Sequence, residues 1–408
     1  MRVLIIGLNY LPESTSIGPY TADLAEYLLK YGHEVEVITG FPMAPQWRIW
    51  NGYRGEWFRR ERINGVSVLR SYLFVPKEPR KTLNRILFDM SFCFSALLAA
   101  IASGRCDLVV TISPPLQIGL TGWIVSLFNQ CDFFFHLQDL VPDAAIATGM
   151  LSEKSWSVRL ARMLEKFIYH QAHGIGVICE GFQRNLAAKG VKSDKIKLLP
   201  NYIDLEFMHS QESDGSFRSR HGIGADDFLV MYSGSVALKH GLETLVDAAA
   251  QLKSEPGIKF IIVGEGPSLT ELKNRVTQLQ LSNFLFLPLQ PRETLPQQLK
   301  AADVLVITQK RAVTDIVFPG KLLYYMAAGR PILAAVSAES ETGLFIAKHQ
   351  VGVVTPPEEP IALAEVILHL RQEGTAKMGQ RGRKVAEQYF DRQVVLPAFV
   401  RHLENLVK

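Results

Sequence analysis

The sequence predicts an α/β protein made of two Rossmann-like domains, each a parallel sheet flanked by helices, facing each other across a cleft. Three observations carry this. Short β-branched runs alternate with helical segments from the first residues onward, which is βαβ logic. The alternation breaks in the polar, Gly/Ser-rich run "HSQESDGSFRSRHGIGADD" and then restarts. Several strands also end in glycine, where an open α/β sheet places its ligands. A length of 408 residues suits such a pair, with boundaries expected at 1–200 and 201–385.

The elements follow in order. "RVLIIG" reads as the first strand, "YTADLAEYLLKYG" as a helix with a glycine stop, and "HEVEVITG" as the second strand. "CDLVVTISPP" is a buried strand ended by two prolines, "GLTGWIVSLFN" the helix after it and "CDFFFHLQDL" another strand. "HGIGVICE" and "GFQRNLAAKG" close the first series. The second series runs "FLVMYSG", "LETLVDAAAQLK", "IKFIIVGEG", "SLTELKNRVTQL", "NFLFLP", "LPQQLKAAD", "VLVIT" and "PILAAV".

Composition is that of an ordinary globular protein, with 48% hydrophobic and 21% charged residues. The cysteines Cys93, Cys106, Cys131 and Cys179 show no CxxC spacing and read as reduced, buried thiols of a cytosolic protein. "MRVLIIGLNYLP" reads as a strand and not as a signal peptide. "ILFDMSFCFSALLAAIA", from Ile86 to Ala102, contains Asp89 and reads as a buried or membrane-skimming helix.

Net charge is only +4, but Arg48 to Arg85 holds ten Lys or Arg against three Glu, interleaved with Trp50, Tyr53, Trp57 and Phe58. Basic residues mixed with aromatics suit an anionic membrane surface; a solvated loop with a few core aromatics is the plainer alternative. Nucleic acid is disfavoured, because the rest of the chain is nearly neutral.

Three loops of the second half are built to meet an anion. In "YSGSVALKHGLETL", Gly234 follows a strand and Lys239 precedes a helix; "IIVGEGPSL" repeats the arrangement with Gly264, Glu265 and Gly266. In "DIVFPGKLLYYMAAGRPIL", Pro319 and Gly320 open a helix, Lys321 sits in its first turn, and Gly329 with Pro331 stops it. A core helix whose lysine snorkels outward fits that last stretch equally well. No Walker A loop, GxGxxG, HExxH, Cys/His cluster or GxSxG elbow is present. What remains is a nucleoside diphosphate group held without an evident protein-bound metal or other cofactor.

The order of "HEVEVIT", "TISPPL", "QDLVPDAA", "LLPNYIDLEF", "YSGSVALKHGLETL", "IIVGEGP" and "FPGKLLYYMAAGRPIL" resembles family 4 of the retaining GT-B glycosyltransferases, closest to the branch that builds bacterial exopolysaccharides. The resemblance covers nearly the whole chain. It implies a GT-B fold with an acceptor-binding first domain, a donor-binding second domain, and a C-terminal helix of about 386–408 that packs back on the first. Lys239 would contact the donor diphosphate, with Lys321 beside it and Gly234 allowing close approach. Gly264, Glu265, Gly266 and Gly320 would lie near the nucleotide, and Glu341, Thr342 and Gly343 beside its phosphates. Asp139 would lie at the reacting centre and Gly18 at the acceptor, with His136 in the same cleft.

The chain departs from the family pattern at two places. Ser235 stands where many members carry Arg, and Ile316 and Tyr324 stand where many carry a pair of Glu, so Asp315 and Tyr324 are left to serve the donor. The resemblance further implies a metal-independent reaction with retention, no protein nucleophile, a nucleotide-sugar donor and a polyprenyl-diphosphate-linked acceptor. The protein would work in the cytoplasm, peripheral to the inner face of the plasma membrane. A nucleotide-sugar epimerase and a non-catalytic nucleotide-sugar-binding subunit are the rival readings.

Overall fold

The computed structural model describes residues 1–13, 17–79, 81–147, 152–209, 215–312 and 319–407. They form two units, Met1–Pro200 with Leu396–Lys408, and Asn201–Val395.

The first unit contains β1 (Arg2–Gly7), α1 (Gly18–Lys30), β2 (Glu34–Gly40), β3 (Phe58–Ile63), β4 (Val66–Ser71), α2 (Thr82–Ala102), β5 (Leu108–Ser113) and α3 (Ile118–Asn129). It continues with β6 (Asp132–Leu137), α4 (Val141–Ala147), α5 (Trp156–Gln171), β7 (Gly174–Val177), α6 (Glu180–Ala188) and β8 (Ile196–Leu198). Its sheet runs β3-β4-β2-β1-β5-β6-β7-β8. All pairs are parallel except β3 on β4, an edge hairpin turned by Asn64 and Gly65, both at positive φ. Val3, Leu4, Ile5 and Ile6 of β1 are all buried, as expected for a central parallel strand covered on both faces.

The hairpin lies in the basic segment, and its aromatics seat cations. Arg59 and Arg70 lie over the Tyr53 ring at 5.0 and 5.1 Å, and Arg85 lies 5.3 Å from Trp47. Trp57 stacks on Tyr72 at 4.6 Å. Arg70 is fully buried; it pairs with Glu61 at 2.5 Å and donates to the carbonyls of Gly40 and Leu11. Arg70 is thus spent inside the fold, whereas Arg48, Arg54, Arg60, Arg62, Lys77 and Lys81 stay exposed. The thiols are free; Cys93, Cys106 and Cys179 are buried, whereas Cys131, which meets Cys106 at the start of β6, is partly exposed.

The second unit contains α7 (Leu205–His209), α8 (Ser216–Arg220), β9 (Phe228–Ser233), α9 (Glu243–Gln251), β10 (Ile258–Val263), α10 (Leu269–Gln278), β11 (Phe284–Leu287) and α11 (Leu295–Ala301). Then follow β12 (Val304–Thr308), α12 (Gly320–Ala327), β13 (Ile332–Ala335), α13 (Glu341–His349), β14 (Gly352–Thr355), α14 (Pro360–Glu373) and α15 (Ala376–Tyr389). The sheet is wholly parallel, in the order β11-β10-β9-β12-β13-β14. Strand periodicity divides its core in two. Leu229, Met231, Leu305 and Ile307 face one cluster, and Val230, Tyr232, Val304 and Val306 the other.

The C-terminal stretch forms two helices, because α15 ends at Tyr389 and α16 (Arg392–Leu406) begins after Asp391. From Leu396 onward α16 belongs to the first unit, where Phe399 meets Phe134 and His136, with ring centroids 5.8 and 5.0 Å apart.

Candidate active site

The glycine-ended strands of the second unit lie side by side. Gly234 N donates to Val263 O (2.9 Å) and Val236 N to Glu265 O (2.8 Å), so hydrogen bonding continues from β9 and β10 into the loops beyond them. A Cβ on Gly264 would stand 1.9 Å from Gly234 O, and one on Gly266 2.1 Å from Val236 O. Both positions must therefore be glycine for the loops to touch, a reason independent of any ligand. Ser235 and Glu265 are exposed on these loops, as is Gly266.

Helix α12 opens after Pro319, whose extended backbone (φ −72°, ψ 122°) turns the chain into the first turn. Gly320 is exposed, and a Cβ there would meet nothing within 4 Å. Lys321 points at the end of β9. Its Nζ lies 3.7 Å from the centroid of the Tyr232 ring, and a Cβ on Gly234 would come within 3.3 Å of it. Gly234, at φ +139°, thus clears the space the lysine occupies. One turn further on, Tyr325 Oη accepts from Ser233 N (3.0 Å) and donates to Ser233 O (3.1 Å), locking the helix to the strand end. Tyr232 Oη donates to Ser235 O (2.7 Å), which fixes the ring under the amine.

The electrostatics here are one-sided. Burial, and after it the charge of Lys239, pushes the Lys321 amine down to about 7. His240 is pushed down to about 4 by burial, then by Lys321 and Lys239. Among the described residues no carboxylate pairs with Lys321. Lys239 itself is exposed, on a short 3₁₀ turn whose carbonyl accepts from Lys310 N (3.0 Å). An amine seated on a π face, withdrawn from water and with a second cation nearby, has the chemistry to meet an anion.

Other expected donor residues fall around this centre with different weight. Tyr324 is half-buried and packs against the core. Glu341, Thr342 and Gly343 form the buried first turn of α13, where Ser340 Oγ caps Gly343 N at 3.1 Å. A Cβ on Gly343 would stand 2.4 Å from Ser337 O, so this glycine too answers to packing. Asp315 and Ile316 lie outside the described residues.

Comparison with known proteins decides the family. Residues 15–202 match the glycosyl transferase 4-like domain and residues 214–385 the glycosyl transferases group 1 domain. WcaI of Escherichia coli (strain K12), named for colanic acid biosynthesis as a glycosyl transferase, is 31% identical over 415 residues, 99% of this chain and 100% of its own length. This chain is a family 4 GT-B glycosyltransferase.

Other similar proteins include the probable glycosyltransferase WbjE of Pseudomonas aeruginosa, 24% identical over 81% of this chain and 84% of its own. Among solved structures, sucrose-phosphate synthase from Thermosynechococcus elongatus has a TM-score of 0.76 at 19% identity, covering 100% of this chain and 99% of that one. HepE of Anabaena in complex with UDP has a TM-score of 0.71 at 19% identity, covering 99% and 100%.

In the glycosyltransferase's first unit the expected acceptor-side residues stand at a helix start and around the end of β6. Gly18 opens α1, and a Cβ there would come 3.1 Å from Glu13 O, so the backbone at Glu13 lies tight against the helix start. Asp139 is half-buried just beyond β6, before α4. His136 is a buried strand residue. Its Nε2 meets Gln138 Nε2 at 2.9 Å, and burial pushes its pKa down to about 4, so it is a neutral ring packed against Phe399. The His136 side chain is enclosed, and the half-buried Gln138 is its polar neighbour at the end of the strand.

The sequence reading passed over Glu13. This carboxylate, 2% exposed, accepts from Met43 N and Ala44 N (both 2.6 Å) and from Asn9 Nδ2 (2.9 Å). It ties the loops after β1 and β2 together. Its two amide donors lie thirty and thirty-one residues away, so the sequence around it does not show them.

Proposed function

We propose that the protein transfers a sugar from a nucleotide-sugar donor to a lipid-linked saccharide acceptor, with retention and without metal, in bacterial exopolysaccharide or other cell-surface polysaccharide synthesis at the cytoplasmic face of the membrane. The observation that carries the donor half is the Lys321 amine, desolvated on the Tyr232 ring with Lys239 as its charged neighbour. A nucleoside diphosphate supplies the missing negative charge. When the glycosidic bond to the donor breaks, that group leaves with a growing negative charge, which both lysines and the free amides at the start of α12 stabilise. Asp139, beyond β6, is the acceptor-side carboxylate. The polysaccharide context is supported by WcaI, and the donor class by HepE, which has been seen with UDP-glucose as well as UDP. The rival readings, an epimerase or a non-catalytic binding subunit, have no such support among the relatives.

A thermal-shift panel of UDP, GDP, ADP and their sugar conjugates, with NAD as control, tests the donor half. At 100 times its dissociation constant the right ligand adds about 2.7 kcal/mol of stability. One nucleoside diphosphate series should stabilise the protein and Lys321→Ala should not respond; stabilisation by NAD alone, or by none, removes the reading.

A further inference from the structure

Helices α2, α3 and α5 lie in contact as one layer on the first unit's sheet. Thr121 Oγ1 of α3 donates to Cys93 O of α2 (3.3 Å), and Trp123 of α3 meets Phe167 of α5 edge-on at 4.9 Å. Each outer helix is apolar on the side it buries and again on the side it shows. On α2, Leu83, Leu87, Met90, Phe94, Leu98 and Ile101 recur at three- and four-residue steps, and Phe94 is 64% exposed. On α5, Trp156, Leu160, Met163 and Phe167 repeat the pattern, and Met163 is 70% exposed. Leu127 and Phe128 of α3 extend the apolar surface at its C-terminal end. A surface of this kind marks an interaction site.

Charge decides what it meets. The acids of these helices are withdrawn: the Asp89 and Glu165 side chains are 13% and 3% exposed, and they pair with Arg85 and Lys189. The charged side chains left outside are Arg85, Arg159, Arg162 and Lys166, all cations. Glu153, exposed just before α5, pairs with Arg162 at 3.4 Å, which leaves the cations in excess around the face, and an apolar face edged mostly by cations suits anionic lipid headgroups over an acyl boundary. The same face on a second copy would set like charges together. Helix α2 is long and apolar enough to cross a bilayer, yet its buried side packs on the sheet and α3, so it lies along a membrane and not through it.

We infer that the α2–α3–α5 layer is the membrane-docking face of this protein and that its occupant is an anionic bilayer. This deepens the reading of a lipid-linked acceptor, on which its purpose rests. It also places docking on α5, which the sequence reading left unmarked.

The test is co-sedimentation of the full-length protein with phosphatidylglycerol/phosphatidylcholine vesicles and with phosphatidylcholine alone, at low and high salt. The wild type should bind the anionic vesicles, more weakly at high salt. The double variant Phe94→Glu/Met163→Glu, changed only at exposed positions, should partition at least about tenfold less while keeping the nucleotide thermal shift that reports an intact second unit. Equal partitioning of variant and wild type overturns the inference, as does equal binding to neutral vesicles. A wild-type dimer in light scattering that the double variant dissolves, without vesicle binding, assigns the face to a second copy instead. Vesicle binding with no nucleotide shift leaves the docking face standing and removes the transferase reading.

Discussion

Around the carboxyl ends of its sheet the second unit gathers an amine that no carboxylate meets among the described residues, whereas the first unit pairs the buried charges Glu13 and Arg70. Lys321, Lys239 and His240 gather near the end of β9 with no acid among the forces acting on the Lys321 amine. In the first unit Glu13 is satisfied by two amides and an asparagine, Arg70 by Glu61 and two carbonyls, and Lys189 bridges Asp143 and Glu165. An unmatched centre waits for a ligand of opposite charge. A matched one selects by shape and by neutral hydrogen bonds, which suits sugar hydroxyls.

The comparison breaks most sharply at Lys321. Lys321→Ala is expected to lower turnover by about 10²–10³, the usual cost of removing one preorganised donor to a developing anion. Steady-state rates, with circular dichroism as the folding control, decide it; full activity would mean that the lysine is only a packing residue.

On the matched side, Glu13→Gln should cost stability and not chemistry. It exchanges a charged acceptor of two amides for a neutral one, a loss of about 1–3 kcal/mol in urea unfolding. The nucleotide thermal shift should be untouched. Loss of that shift would show that the first unit also shapes the anion centre.

Proton linkage gives the smallest effect and the finest test. A Lys321 amine near 7, against its ordinary 10.5, is largely neutral above pH 7 and must take up a proton to meet a diphosphate. Affinity for the stabilising nucleoside diphosphate should therefore fall as pH rises from 7 to 9, by up to about tenfold per unit, and Lys321→Met should lose that slope. Folding stability of the unliganded protein moves the other way. The unfolded chain binds the extra proton between 7 and 10.5, so stability relative to Lys321→Met rises with pH across that window. Titration calorimetry at several pH values checks the first statement and denaturant unfolding the second.

Much of this was legible because local pattern and tertiary fate agreed. The strand runs, the glycine ends and the helix opened by Pro319 and stopped by Gly329 are all short-range features, and the structure has each of them. The purpose of the glycines was not legible: Gly264 and Gly266 read as openings for a ligand, but the carbonyls that require them come from the neighbouring loop. In the basic segment the local contacts were hidden for a related reason, since some of its cations seat on its own aromatics beside a hairpin whose register cannot be counted from spacing. Glu13 was invisible because its two amide donors are distant in sequence, and the second apolar stripe of α5 was hidden among arginines that point the same way.

The seat of Lys321 also binds two positions to a common history. A Cβ at residue 234 would meet nothing but that lysine within 4 Å, crowding its amine at 3.3 Å. A descendant that lost the lysine would be released from steric constraint at 234 by that neighbour, while one that gained a side chain at 234 would first have to move the lysine. Glycine at 234 is demanded twice, by its +139° backbone and by the lysine, so of the pair the lysine is the position free to change first.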